Sequence, residues 1–169
     1  MNKSTLLTLC LTLMVATVGF SQKFGFCNSS ALLTSIPEMK QADSELKGFQ
    51  TQLQKRGQEM VKSLQDRAAE LQRKSELGTI SPKDEEAQKA KLAEDQDAIS
   101  KYEQEVYDKL AQKREELFTP ILDKVNKAMA DVAKENGFVF VFDTNSSIVL
   151  YAHESLDVTK LVKTKLNIE

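Results

Sequence analysis

Few side chains in this chain could do chemistry. Its one histidine is His153, and its two cysteines are Cys10 and Cys27. A metal site needs several His, Cys or carboxylate ligands at defined spacings, and one histidine without a cysteine pair does not supply them. The residue types of a Ser-His-Asp triad occur, but no Gly-x-Ser-x-Gly elbow presents a serine. No glycine-rich loop is spaced to cradle a phosphate. His153 therefore reads as a structural or surface residue. Cys27, in an apolar stretch, reads as a small buried side chain rather than a nucleophile. The chain reads as a non-enzyme with no metal and no cofactor.

The elements around these residues point to export and to a large contact surface. Lys3 is the only charge before residue 23, and Leu6 to Phe20 is an apolar run too short to span a bilayer comfortably. Gly19-Phe20-Ser21 ends it with small residues. This is the pattern of a cleavable signal peptide over residues 1–21, with cleavage after Ser21. Cys10 leaves with it, so Cys27 has no partner for an intrachain disulfide. The whole chain carries 23 basic and 25 acidic residues, a formal net charge of −2. Nothing in that balance suggests nucleic acid.

Two long stretches, roughly 39–77 and 81–135, are rich in Glu, Gln, Lys, Ala and Leu. In the first, Phe49, Leu53, Gly57, Met60, Leu64, Ala68, Leu71 and Ser75 step by 4, 4, 3. In the second, Val106, Leu110, Arg114, Leu117, Ile121, Val125, Ala128 and Val132 do the same. That is an eleven-residue repeat, near 3.67 residues per turn, which gives a nearly straight helix pair. Gly78 can close the first helix. Ser81 can cap the second, with Pro82 at its first position. So short a connection predicts an antiparallel hairpin with its tip near 78–82. Pro120 lies inside the second helix, removes one backbone hydrogen bond and is read as a kink or hinge.

Short apolar segments bracket the hairpin. Lys23 to Asn28 reads as a strand, with Ser30 capping a short helix through Ser35. Asn136-Gly137 stops the second long helix. Phe138-Val139-Phe140-Val141-Phe142 reads as a strand buried on both faces. After turn residues 143–147, Ile148-Val149-Leu150-Tyr151 reads as another strand, paired antiparallel as a hairpin. Asp157 caps a last helix whose apolar side is Leu161, Val162 and Leu166. Three such strands are more apolar than one small layer can hide, which predicts association of subunits. Residues 22–38 and 120–169 form this body, and 39–119 the arm. The fold class is α+β.

In order and in sequence the chain resembles the Skp/OmpH family of periplasmic chaperones. The strongest matches are PILDKVNKAMADVAKENGFVFVFD, Pro120 to Asp143, and DVTKLV, Asp157 to Val162. The resemblance implies a homotrimer whose strands close a central β-barrel, with Phe24, Phe26, Phe138, Phe140, Phe142, Ile148 and Leu150 at the subunit contacts. It implies three helical arms around a cavity and an ATP-independent holdase for unfolded outer-membrane proteins, in peripheral contact with the membrane or the insertion machinery. Met60, Leu64, Leu71, Ile99, Tyr102 and Val106 are the candidate client surface, shared with the helix–helix seam. The slightly acidic charge departs from the basic character of well-known members. A structural or adaptor coiled-coil protein of the envelope is the alternative.

Overall fold

The computed structural model describes residues 22–146 and 148–168. The expected signal peptide and its cleavage site, and Ser147 of the expected turn, lie outside the described residues. The elements are β1 (Lys23–Cys27), α1 (Ser29–Ser35), α2 (Pro37–Glu76), α3 (Pro82–Glu135), β2 (Phe138–Asp143) and α4 (Thr159–Lys165). Two single-turn 3₁₀ helices, Thr144–Ser146 and Glu154–Leu156, lie between β2 and α4. The chain divides into two compact units, one of residues 22–32 with 128–167, the other of residues 33–127.

The first unit is a small α+β body. Its sheet has two strands, β1 and β2, which pair in parallel with Phe24 level with Phe140 and Phe26 level with Phe142. Parallel pairing suits strands joined through the two long helices rather than through a tight turn. In the single chain this sheet is open and does not close into a barrel. Cys27, Leu32, Val158 and Val162 are the most deeply buried side chains. Thr159 helps tie this core, donating from Oγ1 to Cys27 Sγ at 3.6 Å and accepting from the Asn28 N–H at 3.2 Å.

Several local expectations give way to other chemistry. The cap of α1 is Asn28, not Ser30: Asn28 Oδ1 accepts the Ala31 N–H at 2.9 Å. The predicted antiparallel strand Ile148–Tyr151 is not formed; these residues carry no ladder. The reason lies at Asp143. Its Oδ1 accepts the Asn145 N–H at 3.0 Å, and Ser146 Oγ donates to its carbonyl at 2.6 Å. The chain is thereby wound into a 3₁₀ turn and is not folded straight back onto β2. Nor is β2 buried on both faces: Val139, Phe140 and Phe142 are exposed, because one chain supplies only one neighbouring strand. In α4, Val162 and Leu166 are buried as expected, whereas Leu161 is exposed. Asp157 Oδ1 does accept the Thr159 N–H, at 2.8 Å, where α4 begins.

The second unit is an antiparallel helical hairpin. α2 has 40 residues and α3 has 54, so the helices measure about 60 and 80 Å at the standard rise. The turn between them follows its residue chemistry. Gly78 has φ +65°, the left-handed conformation that ends α2. Ser81 Oγ accepts the Asp84 N–H at 3.2 Å, capping α3, and donates to the Asp84 carboxylate at 2.7 Å. At the other end of α3, Gly137 has φ +69° and closes it. α3 runs unbroken through Pro120. Among the described residues no helix is long and apolar enough to cross a membrane.

Candidate functional site: an apolar sheet face and a helical hairpin

Two surfaces stand out, one in each unit. On the body, Phe24, Phe140 and Phe142 form an aromatic cluster. Their ring centroids lie 6.1 Å apart for Phe24 and Phe140, 6.4 Å for Phe24 and Phe142, and 6.1 Å for Phe140 and Phe142. Strand alternation puts these rings on one face of the sheet, and the parallel register brings the two strands' rings level. Such spacing gives each pair favourable ring contact. All three nevertheless remain exposed, Phe140 by 55%. Phe26 and Phe138 are half-buried. Lys23 covers the Phe138 ring, with Nζ 4.2 Å from its centroid.

Ile148, exposed by 76%, borders the hollow beside the cluster, and Leu150 is exposed by 95%. Phe24, Phe26, Phe142, Ile148, Tyr151 and Leu156 help line a shallow hollow of about 320 Å³. Of the predicted assembly residues, Phe24, Phe26, Phe140, Phe142 and Ile148 are thus brought together by the ring cluster and this hollow. Phe138 is not, because the register shift beside Phe24 turns its ring to the Gly25 side of the sheet, and Leu150 stands clear in solvent. Exposed apolar side chains gathered in this way are of the kind that proteins commonly bury against a partner.

The hairpin divides the candidate client residues. Leu71, Ile99 and Tyr102 are buried, with Leu53, in the hairpin unit. Met60, Leu64 and Val106 are half-buried and keep exposed surface. Gly57 sits beneath the Tyr102 ring, whereas Ala68, Ser75 and Arg114, members of the expected seam, are exposed. The outer seam of α3 extends the expected members Ile99, Tyr102 and Val106 to Leu92 and Asp95, which were not expected there; the five alternate steps of 3 and 4. The signal was present in the spacing, but a charge at Asp95 interrupts its apolar character.

Charges brace the hairpin along its length. Lys124 meets Glu38 at 2.9 Å, Lys113 meets Glu45 at 2.7 Å and Arg67 meets Asp95 at 2.6 Å. The hydrogen bond from Lys124 holds the Glu38 carboxyl below its usual range, and the bond to Glu45 holds the Lys113 ammonium above its own. Exposed pairs like the first contribute little each. They do agree on one antiparallel register.

The remaining reactive groups have structural tasks. Burial pushes the Cys27 thiol up, away from thiolate reactivity. His153 Nδ1 accepts the Ser155 N–H at 3.3 Å and lies 2.9 Å from Ser155 Oγ, so the imidazole caps a 3₁₀ turn. Among the described residues no group of three or more His, Cys, Asp or Glu side chains is placed to hold a metal ion.

A small α+β body with an uncovered aromatic face and a long charged helical hairpin are the two features the fold defines. The match to the family model "Outer membrane protein (OmpH-like)" runs over residues 23–166, and the chain belongs to that family. An uncharacterised protein of Aquifex aeolicus (strain VF5) is 28% identical over 157 residues, covering 93% of each chain. The fold is similar to a crystal structure described as a candidate outer membrane chaperone (OmpH-like) from Caulobacter crescentus CB15. The TM-score is 0.74 at 19% identity, over 86% of this chain and 84% of that one.

Proposed function

We propose that this protein is an ATP-independent holdase of the periplasm that keeps unfolded outer-membrane proteins from aggregating. Family membership across nearly the whole described chain is the observation that carries this reading. The physical features agree with it. The aromatic face of the body, with Ile148 and Leu150, is suited to burial against further copies of the chain, and a homotrimer closed as a β-barrel would supply the missing neighbouring strands. The hairpins of three copies would then enclose a cavity. Met60, Leu64 and Val106 offer scattered apolar contacts among charges, the kind of surface that binds unlike sequences weakly and releases them. Pro120 is a hinge in this reading. Export by the signal peptide supplies the compartment.

Aggregation suppression tests it. An unfolded porin and at least two unrelated unfolded β-barrel proteins are diluted from denaturant with and without the mature chain. A holdase lowers light scattering for all of them without ATP. Suppression of none would instead favour an envelope adaptor that binds one folded partner.

A further inference from the structure

Tyr102 occupies an unusual place in the hairpin. It is the largest of the buried side chains of the outer seam, only 6% exposed. Its hydroxyl donates to the Leu53 carbonyl at 3.0 Å, a buried bond from α3 to the backbone of α2. That carbonyl belongs to the helical turn ending at Gly57, and a carbonyl oxygen can accept a second bond. The ring lies over Gly57 itself, where an added Cβ would stand 3.5 and 3.8 Å from Tyr102 Cε1 and Cδ1. Arg56 and Lys109 hold the ring from outside, at 5.4 and 5.7 Å from its centroid. Two open grooves flank this level. One, of about 510 Å³, is lined by Leu53, Gly57 and Tyr102 among others. The other, of about 260 Å³, lies along Met60, Ala98 and Ile99.

We infer that Tyr102 is a mid-length brace that keeps α2 and α3 paired at the level of Gly57, where α2 supplies no side chain. Gly57 removes a side chain from α2 and lowers its local helix propensity. Open grooves lie beside the ring rather than further packed side chains of α2 at Gly57. One ring and one hydroxyl therefore join the helices at this level beside the buried Leu53 and Ile99, and the distal hairpin depends on them more than the proximal hairpin does. The proximal part has two cross-helix ties, Lys113–Glu45 and Lys124–Glu38, whereas toward the tip Arg67 meets Asp95 without an aligned hydrogen bond. A holdase that accepts clients of different sizes would gain a distal segment able to loosen independently. The inference itself does not depend on holdase activity.

Spin labels report it directly. Cysteines replace Asp66 and Asp97 for a distal pair across the hairpin, and Lys47 and Glu115 for a proximal pair, all with Cys27→Ser. Labelled chain is diluted with unlabelled chain so that only distances within one chain are read by pulsed electron resonance. Tyr102→Phe keeps the ring and loses the bond; it broadens the distal distribution and leaves the proximal one unchanged. Tyr102→Ala broadens the distal pair further. Gly57→Ala, whose new methyl meets the ring at ordinary contact distance, narrows it. The inference is overturned if Tyr102→Phe matches the parent, or if the proximal and distal pairs broaden alike. Unchanged helical circular dichroism in Tyr102→Phe separates loosening from unfolding.

Discussion

Arg67 on α2 approaches Asp95 on α3 to 2.6 Å, and the Asp95 Oδ2 atom it meets is closed off from solvent. The guanidinium is already engaged by its own helix, with Nε 3.2 Å from the Ser63 carbonyl and Nη2 3.0 Å from Ser63 Oγ. Its approach to Asp95 is close but out of line with an N–H, so the carboxylate gains Coulomb attraction without an aligned hydrogen bond. Asp95 stands between Leu92 and Ile99 in the seam, where an apolar residue would otherwise sit. The asymmetry of buried polar groups then sets the expectation. Arg67→Met strands the Asp95 oxygen and costs about 1–3 kcal/mol. The double variant Arg67→Met with Asp95→Leu recovers most of that loss, because an apolar pair of similar volume is often neutral or better. Urea unfolding followed by helical circular dichroism checks both. A double variant no better than Arg67→Met would show that the pair is not coupled.

Asp143 gives the body a dependence on acid. Its carboxyl accepts from Ser29 Oγ at 2.6 Å, from the Ser29 N–H at 3.2 Å and from the Asn145 N–H at 3.0 Å. The Ser29 side-chain bond, then the Asn145 amide, hold its pKa below the ordinary 3.8. A carboxyl depressed in the folded state contributes stability above its unfolded pKa and loses it as pH falls through the folded value. The body should therefore weaken below about pH 4. Asp143→Asn should remove that part of the acid limb and cost about 1 kcal/mol near neutrality, a typical hydrogen-bond contribution. Urea midpoints from pH 2 to 6 test this. Equal acid slopes in parent and variant would assign the acid sensitivity to other carboxylates.

Legibility from sequence followed the range of the forces involved. The hairpin turn was readable because Gly78, Ser81 and Pro82 act within a few residues of themselves. The stop at Gly137 was readable for the same reason. The partner of β1 was not, since parallel pairing with β2 depends on two long helices returning the chain. Ile148–Tyr151 was misread because its composition favours a strand, while the Asp143 side chain decides the direction of the chain just before it. The client surface was only half legible. Helical spacing shows that Tyr102 and Val106 share a stripe, but only the facing Gly57 shows that Tyr102 is spent on the seam.

The exposed aromatic face predicts assembly. The mature chain should sediment as a trimer at micromolar concentration. Phe140→Asp or Ile148→Asp should dissociate or unfold it, because a charge buried at a subunit contact without a partner is costly. Removing Glu59 to Leu71 together with the matching stretch of α3 should leave the trimer intact, since the aromatic face belongs to the body unit. Sedimentation velocity reads all three. A stable monomer from the parent chain would remove the assembly proposal, and loss of the trimer on shortening the hairpin would move the contact away from the body.

Client capture should depend on many weak apolar contacts. Met60, Leu64 and Val106 keep exposed surface, and each contact is small, so single Ala substitutions should weaken binding of an unfolded porin by less than about threefold. The triple variant should lose about tenfold, equal to about 1.4 kcal/mol. Ala at Ile99, by contrast, removes buried packing and should first appear as lowered stability of the hairpin. Salt separates apolar holding from electrostatic holding. The chain has a net charge of −2, with no large excess of either sign to attract a client. Screening acts mainly on exposed charges, and the Debye length is already about 10 Å at 0.1 M. Raising salt from that level to about 0.3 M should therefore change affinity by less than about threefold. Titration by fluorescence anisotropy at both concentrations decides the matter. A collapse of affinity at the higher salt would assign the holding to charge on the hairpins rather than to their scattered apolar residues.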